Sequence, residues 1–405
     1  MIHRVAITGL GIICALGKNV SEFSGCLFEG RSGITPIEAV DTSALRFHLG
    51  AEVKHFSPAE HFNGARVELL DRFAQFAVIA AREALANAGI CLTAELSPRV
   101  AVIVGSSMGG KTTEDAEFKE LYARKQNRVH PFSIPKVMMN AGASHICMDL
   151  GITGPAMTIS TACSSANHAI GQAFWMVRSG QAELAITGGS EAPFSYGSLK
   201  AWEAMRVVSA DTCRPFSSDR SGLVLGEGGA MMVLEPLDRA VQRHAQIYGE
   251  VVGFGMSADA HHITTPTVSG PSRAMLSALA DAAVDPQSVG YINAHGTGTI
   301  TNDPIEAQAI RAVLGGQTDR VLVSSTKSMH GHTLGAAGAI EGVATVLALH
   351  HKIIPPTCNF TARDPQCNLN LVVNKPEAAT VEYALSNSFA FGGLNAVLAF
   401  RAVQP

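Results

Sequence analysis

A run of extended residues, a polar turn and a helix of small side chains occurs twice in this chain, and that repetition restricts the folds open to it. Residues 157–180, MTISTACSSANHAIGQAFWMVRSG, pass from β-branched and hydroxyl side chains into an Ala-rich stretch with larger apolar residues at helical spacing. Residues 321–351, VLVSSTKSMHGHTLGAAGAIEGVATVLALHH, make the same passage. Upstream of each lies a strand-like segment, RVAVIVGSS at 99–107 and VGYINAHGTGT at 289–299. A repeat of about half the chain exceeds a solenoid period and indicates a duplicated domain. The boundary is expected near residue 250, dividing the chain into 1–250 and 251–405. No Pro/Ser-rich linker stands there, so the halves are expected to share one core.

HRVAITGLG, AELAITGGS and GAMMVLEPL read as further strands, DRFAQFAVIAAREALANAG and PSRAMLSALADAAV as helices. ATVEYALSNSFAFGGLNAVLAFRA closes the chain as a hairpin. Strands that alternate with helices and are apolar without interruption place the chain in the α/β class, with a parallel sheet covered on both faces. The 47% hydrophobic and 16% charged composition is that of a core-rich globular enzyme. A net charge of −4 supplies no argument for nucleic acid or an anionic membrane as partner. The eight cysteines, at 14, 26, 91, 147, 163, 213, 358 and 367, form no CxxC pair and read as reduced thiols. No apolar run reaches the roughly 20 residues of a membrane helix, so a soluble, cytoplasmic protein is expected.

Cys163 stands where the first strand hands over to its helix. Unpaired N–H groups and the positive end of the helix dipole would lower its pKa and stabilise a thiolate. Such a thiolate attacks carbonyl carbon, and the adjoining backbone N–H is placed to receive the oxyanion. A lone cysteine is more often a small buried hydrophobe. The second half changes that balance. NAHGTGT sets His295 after an apolar strand, and STKSMHGHTLGAAG sets Lys327, His330 and His332 in the turn equivalent to that of Cys163. Active sites of α/β sheets gather at the carboxyl ends of strands. One thiol with two imidazoles points to acyl transfer or carbon–carbon chemistry at a thioester. GLGIIC at 9–14 lacks the third glycine of a dinucleotide fingerprint, and HGH and HH lack Asp or Cys partners at metal spacing.

TACSSA, NAHGTGT, KSMHGHTLGAAGA and NSFAFGGLN, in this order and nearly end to end, resemble the signature blocks of the β-ketoacyl-ACP synthases of the thiolase superfamily. The resemblance implies a duplicated thiolase-type fold, a five-layer αβαβα arrangement with two mixed sheets. It implies that Cys163 takes an acyl chain from acyl carrier protein (ACP). Malonyl-ACP then loses CO2 and its enolate attacks the acyl-cysteine. His295 and His332 would stabilise the enolate, and the N–H groups of Cys163 and Phe391 would form the oxyanion hole. Lys327 and Glu341 would support His332, while Asp303 and Glu306 would order the site from behind. Thr297 and Thr299 would hold the pantetheine arm, Met108 would set acyl-pocket depth, and Phe391 would act as a gate. No cofactor beyond the phosphopantetheine of the ACP substrates and no metal is implied. The partners are ACP and a second subunit, identical or ketosynthase-like, whose dimer interface would be lined by residues 132–145.

Two departures from the resemblance bear on pathway. The stretch NGARVELLDR, where housekeeping fatty-acid enzymes carry a basic ACP-docking cluster, keeps only Arg66 and Arg72 against Glu68 and Asp71. Arg206, Arg124, Lys125 and Arg128 are the alternative docking cations. Ala390 and Leu394 replace the Gly and Thr usual beside the gate. Both departures favour a specialised polyketide or polyene pathway, with fatty-acid elongation as the other possibility. A non-catalytic, length-setting partner subunit is the alternative function; such chains lack the nucleophilic cysteine that this one retains. A biosynthetic thiolase would carry a second cysteine where this chain has FAFGGLN.

Overall fold

The structure is a computed structural model that describes residues 2–403. Its strands are β1 (Val5–Cys14), β2 (Val100–Gly105), β3 (Ala156–Ile159), β4 (Leu184–Glu191), β5 (Gly228–Pro236), β6 (Gly249–Ala258), β7 (Val289–Asn293), β8 (Leu322–Ser324), β9 (Tyr383–Ala390) and β10 (Leu394–Arg401), with minor pairs elsewhere. The helices that position the site are α1 (Arg72–Asn87), α2 (Ala141–Leu150), α3 (Ser165–Arg178), α4 (Tyr196–Met205), α5 (Ser269–Ala282), α6 (Asn302–Leu314) and α7 (Ala337–His351).

The strand order is β8-β7-β9-β10-β6-β1-β5-β4-β2-β3. Counted within each half, both sets of five follow the same order, third, second, fourth, fifth, first. The directions repeat too: β2 runs parallel to β3 and β4, and β7 parallel to β8 and β9, while the remaining pairs are antiparallel. The unbroken apolar strands therefore do not signify an all-parallel sheet. Burial on both faces produces the pattern, and antiparallel β5 is buried almost throughout, as parallel β2 is. The two mixed sheets expected from the sequence also meet edge to edge. Val5, Ala6 and Ile7 of β1 pair with Val251, Glu250 and Gly249 of β6, so the hydrogen bonding runs on through ten strands.

Five layers result. Phe73, Phe76 and Ile79 of α1 and Ile146 of α2 pack on Val102 and Ile186 of the front sheet. Ile170 and Phe174 of α3, with Ile340, Val343 and Leu347 of α7, fill the space between the sheets against Ile7, Leu234 and Phe400. Met275 and Leu279 of α5 and Ile310 of α6 cover the back sheet at Ile292 and Val397. Every residue of α7 from Ala337 to Leu349 is buried, the signature of a helix with no solvent face. Among the described residues no helix is long and apolar enough to cross a membrane.

Candidate active site

Cys163 lies in the turn between β3 and α3, one residue before the Ser164 that opens the helix. The preceding Ala162 has φ +52°, a left-handed conformation that a residue with a Cβ adopts at a cost of about 1 kcal/mol or more. The strained corner presents the thiol to a cleft of about 810 Å³, open mouth included, that His295, His332, Thr297, Thr299 and Phe391 also line. The thiol and both imidazoles thus share one chamber.

His332 arrives from the turn before α7. Gly331 at φ +67° separates His330 from His332, and a Cβ there would come within 2.9 Å of Ala51 Cβ and 3.0 Å of the Leu225 carbonyl. The two histidines consequently take different roles. His330 is buried with Nδ1 2.9 Å from the Gly331 carbonyl and Nε2 3.0 Å from Thr326 Oγ1. His332 Nε2 lies 3.1 Å from Cys163 Sγ. Its Nδ1 accepts the Leu334 N–H at 3.2 Å. Burial, and then the Lys327 charge, hold the His332 pKa well below its ordinary value, so the ring is neutral. With Nδ1 an acceptor, the proton resides on Nε2 and points at the sulfur.

His295 follows β7 and meets His332 edge to face, ring centroids 5.4 Å apart. Lys327 Nζ lies 3.3 Å from His295 Nδ1 and donates to the His295 carbonyl at 2.6 Å. Burial and Lys327 keep this ring neutral as well. Its Nδ1 is taken by the ammonium, which leaves Nε2–H as the second neutral donor. Lys327 and Glu341 form an ion pair at zero exposure, and burial lifts the Glu341 carboxyl to about 7 against the pull of Lys327. The pair therefore serves His295, a correction to the expected support of His332. The reason is geometric: the helical turn Lys327–His330 and Gly331 point Lys327 and His332 in different directions.

The thiol departs from expectation too. Burial pushes Cys163 up to about 12, although Lys327 and the Phe391 backbone N–H pull it down. Desolvation outweighs the helix N-terminus, and the resting sulfur is a protonated thiol. Behind the His295 loop, Glu306 accepts the His295 and Gly296 N–H groups at 2.8 and 2.7 Å. Asp303 accepts the Phe216 and Gly298 N–H groups at 2.7 and 3.2 Å. Both carboxylates thus brace the loops behind the site, as the resemblance implies. Thr297 and Thr299 touch through their hydroxyls at 2.9 Å on the cleft wall.

A second cavity, of about 880 Å³, opens on the other side of Cys163 and is lined by Met108, Ser107, Ala201, Met205 and Leu334. Phe391 and Trp202 border both spaces, and their rings stack with centroids 6.2 Å apart. The sulfur sits where the cleft and this second cavity meet.

The comparisons with known proteins agree with this geometry. Residues 3–240 match the family described as "Beta-ketoacyl synthase, N-terminal domain", and residues 248–361 match "Beta-ketoacyl synthase, C-terminal domain". The chain belongs to the β-ketoacyl synthase family. The synthase is 45% identical over 403 residues to "Nodulation protein E" of Rhizobium sp. (strain N33), covering 100% of both chains. It is 39% identical over 408 residues to "3-oxoacyl-[acyl-carrier-protein] synthase 2" of Staphylococcus aureus (strain COL), covering 99% of both. Among solved structures, "The ishigamide ketosynthase/chain length factor" superposes with a TM-score of 0.95 at 34% identity over 100% of both chains. The synthase is accordingly a thiolase-type condensing acyltransferase.

The candidate docking cations fare unequally. Arg66 is committed to Asp149 at 2.6 Å, and Arg72 to the buried Glu227 at 2.6 Å, so NGARVELLDR offers neither as a free docking charge. Those arginines instead pair within the front half, Arg66 with α2 and Arg72, at the start of α1, with the residue before β5. Arg124 pairs with Glu120 at 2.9 Å; Lys125 and Arg128 are exposed in the segment after helix Lys111–Ala123. Arg206 is exposed at the end of α4, beside Trp202 and Val207 of the cleft. Two features of the site carry no recognisable motif: the 262–266 segment that lines the cleft together with Thr297, and buried Glu191 at the end of β4. Glu191 directly follows the GGS of its strand, and an acid in an apolar run was the available signal.

Proposed function

We propose that this synthase extends an ACP-bound acyl chain by two carbons, with Cys163 as acyl acceptor. The Cys163 sulfur attacks the thioester carbonyl, the oxyanion rests on the N–H groups of Cys163 and Phe391, and the pantetheine thiol leaves with the proton. Malonyl-ACP then enters through the cleft, its arm along Thr297 and Thr299. Loss of CO2 forms an enolate whose oxygen takes the two Nε2–H groups of His295 and His332. The enolate carbon attacks the acyl-cysteine carbonyl, the C–S bond breaks, the β-ketoacyl product leaves on ACP, and the released Cys163 thiolate takes a proton from water. Neutral donors suit this chemistry because they stabilise an oxyanion without protonating it outright. The acyl chain occupies the apolar pocket, with depth limited by Met108, and Phe391 gates the passage between the two spaces.

The observation that carries this reading is the 3.1 Å approach of His332 Nε2 to Cys163 Sγ in a chamber shared with His295. Incubation with an acyl-ACP followed by intact-mass measurement tests it. The native chain gains one acyl group and Cys163→Ala gains none. No gain in the native chain overturns the reading in favour of a length-setting partner subunit.

Arg206 is the docking cation that the geometry favours, with Lys125 and Arg128 further along the face. The exposed apolar side chains Tyr122, Phe132, Ile134, Met138 and Met148 support a dimer, homomeric or with a ketosynthase-like subunit. Residues 1–250 and 251–405 act as the two halves, the first bringing the thiol and the second both imidazoles. The substrates arrive on phosphopantetheine, and the free state of all eight cysteines favours a reducing cytoplasm. The pathway is specialised polyketide or polyene synthesis, with fatty-acid elongation the alternative, and a panel of acyl-ACPs of graded length and oxidation state separates the two.

A further inference from the structure

Three segments meet at Glu191, whose carboxylate is completely buried. From the end of β2 it accepts Ser106 Oγ–H at 3.1 Å, Ser107 N–H at 2.7 Å, Ser107 Oγ–H at 2.6 Å and Met108 N–H at 3.2 Å. From the segment leading into α7 it accepts the Gly335 N–H at 3.0 Å. All five donors are neutral. The packing leaves no slack: a Cβ on Gly335 would lie 2.4 Å from Ser107 N and 2.5 Å from Glu191 Oε2.

What this junction joins gives it meaning. Ser107, Met108 and Leu334 line the apolar pocket beside Cys163. The Leu334 N–H, one residue before Gly335, is the donor that occupies His332 Nδ1 and so keeps the proton on Nε2. One carboxylate therefore fastens the wall of the acyl pocket to the turn that orients His332. We infer that Glu191 is a positioning residue for the condensation half of the reaction, holding the Leu334–Gly335 turn so that His332 presents Nε2–H to the enolate. The inference rests on the reading of Cys163 and His332 given above. Acyl loading depends on the Cys163 and Phe391 N–H groups, which Glu191 does not touch, and meets Glu191 only through the Ser107–Met108 pocket wall, so loading should suffer less than condensation.

The test is Glu191→Gln. The amide keeps the size of the side chain but has one acceptor oxygen, so one donor set, either Ser107 and Gly335 on Oε2 or Ser106 and Met108 on Oε1, must face an NH2 group instead. Two rates are measured on the full-length protein: single-turnover acylation of Cys163 by acyl-ACP, followed by mass, and CO2 release from labelled malonyl-ACP by the pre-acylated enzyme. Acylation is expected to stay within about threefold of wild type while CO2 release falls by about tenfold or more, with KM for malonyl-ACP within about threefold. Equal losses in both steps, or no loss in either, overturn the inference. Ser106→Ala removes one donor to the same carboxylate; it should shift the ratio of the two rates in the same direction by a smaller factor, and it carries the test alone if the glutamine variant does not fold. An unchanged ratio in that variant also overturns the inference. A wild-type enzyme that fails to acylate at all would instead refute the reading on which this one rests.

Discussion

The turn from β3 to α3 and the turn from β8 to α7 occupy equivalent places in the two halves, yet they have become different instruments. The front turn is short. Five residues separate Ile159 from Ser165, and the strain at Ala162 delivers one sulfur to the helix mouth. The back turn spans twelve residues between Ser324 and Ala337, and it folds into a helical turn, a glycine corner and a 3-10 turn. That added length separates an interior ion pair, Lys327–Glu341, from a projecting imidazole, His332. The strand ends diverge in the same way: β7 leads to His295, a donor, whereas β2 leads to Met108, a pocket wall. Duplication supplied two matching frames, and the chemistry arose once, where the frames face each other. Both imidazoles come from the back half and the sulfur from the front, so neither half holds a working set.

The comparison is open to attack at three points. Removing a donor of the back half has the largest effect. His295→Ala is expected to lower condensation by about 10²–10³-fold, the typical loss for one oxyanion donor, while Cys163 still accepts an acyl group. Loss of acyl loading to the same degree would show that the two halves do not divide the work. The front turn can be probed by pH. With its pKa pushed up to about 12 by burial, Cys163 is protonated at neutral pH, and ionisation increases only as pH rises toward that value. Alkylation of Cys163 by iodoacetamide should therefore keep accelerating above pH 9, beyond the ordinary free-thiol pKa of about 8.5, with no plateau near neutrality. A plateau below pH 8 would restore the helix-stabilised thiolate. The smallest effect lies outside both turns. Arg206→Glu should raise KM for ACP substrates by about three- to tenfold and leave kcat within about twofold, because a rim charge acts on encounter. An unchanged KM would remove Arg206 from the docking surface.

Much of this was legible before any coordinates. The paired strand–turn–helix motifs, the closing hairpin and the placing of Cys163 and His295 just after strands and of His332 in the turn before a helix all follow from local patterning, and each stands where that patterning puts it. The errors share a cause. Lys327 and His332 are neighbours in sequence, yet Lys327 serves His295, because chain proximity does not give direction once Gly331 takes a left-handed turn. Arg66 looked like a surface cation because its partner, Asp149, is remote in the chain. Glu191 was passed over because five donors from two distant segments define its role.

The amino-acid order alone determined which groups are the candidates for the chemistry and which elements hold them, since periodicity and turn residues act over a few neighbours. The folded chain decided how those groups behave. It set the proton on Nε2 of both imidazoles, assigned Lys327 to His295, and kept the sulfur protonated at rest. Protonation and pairing depend on desolvation and on partners distant in the chain, and both exist only once the two sheets have closed over α3 and α7.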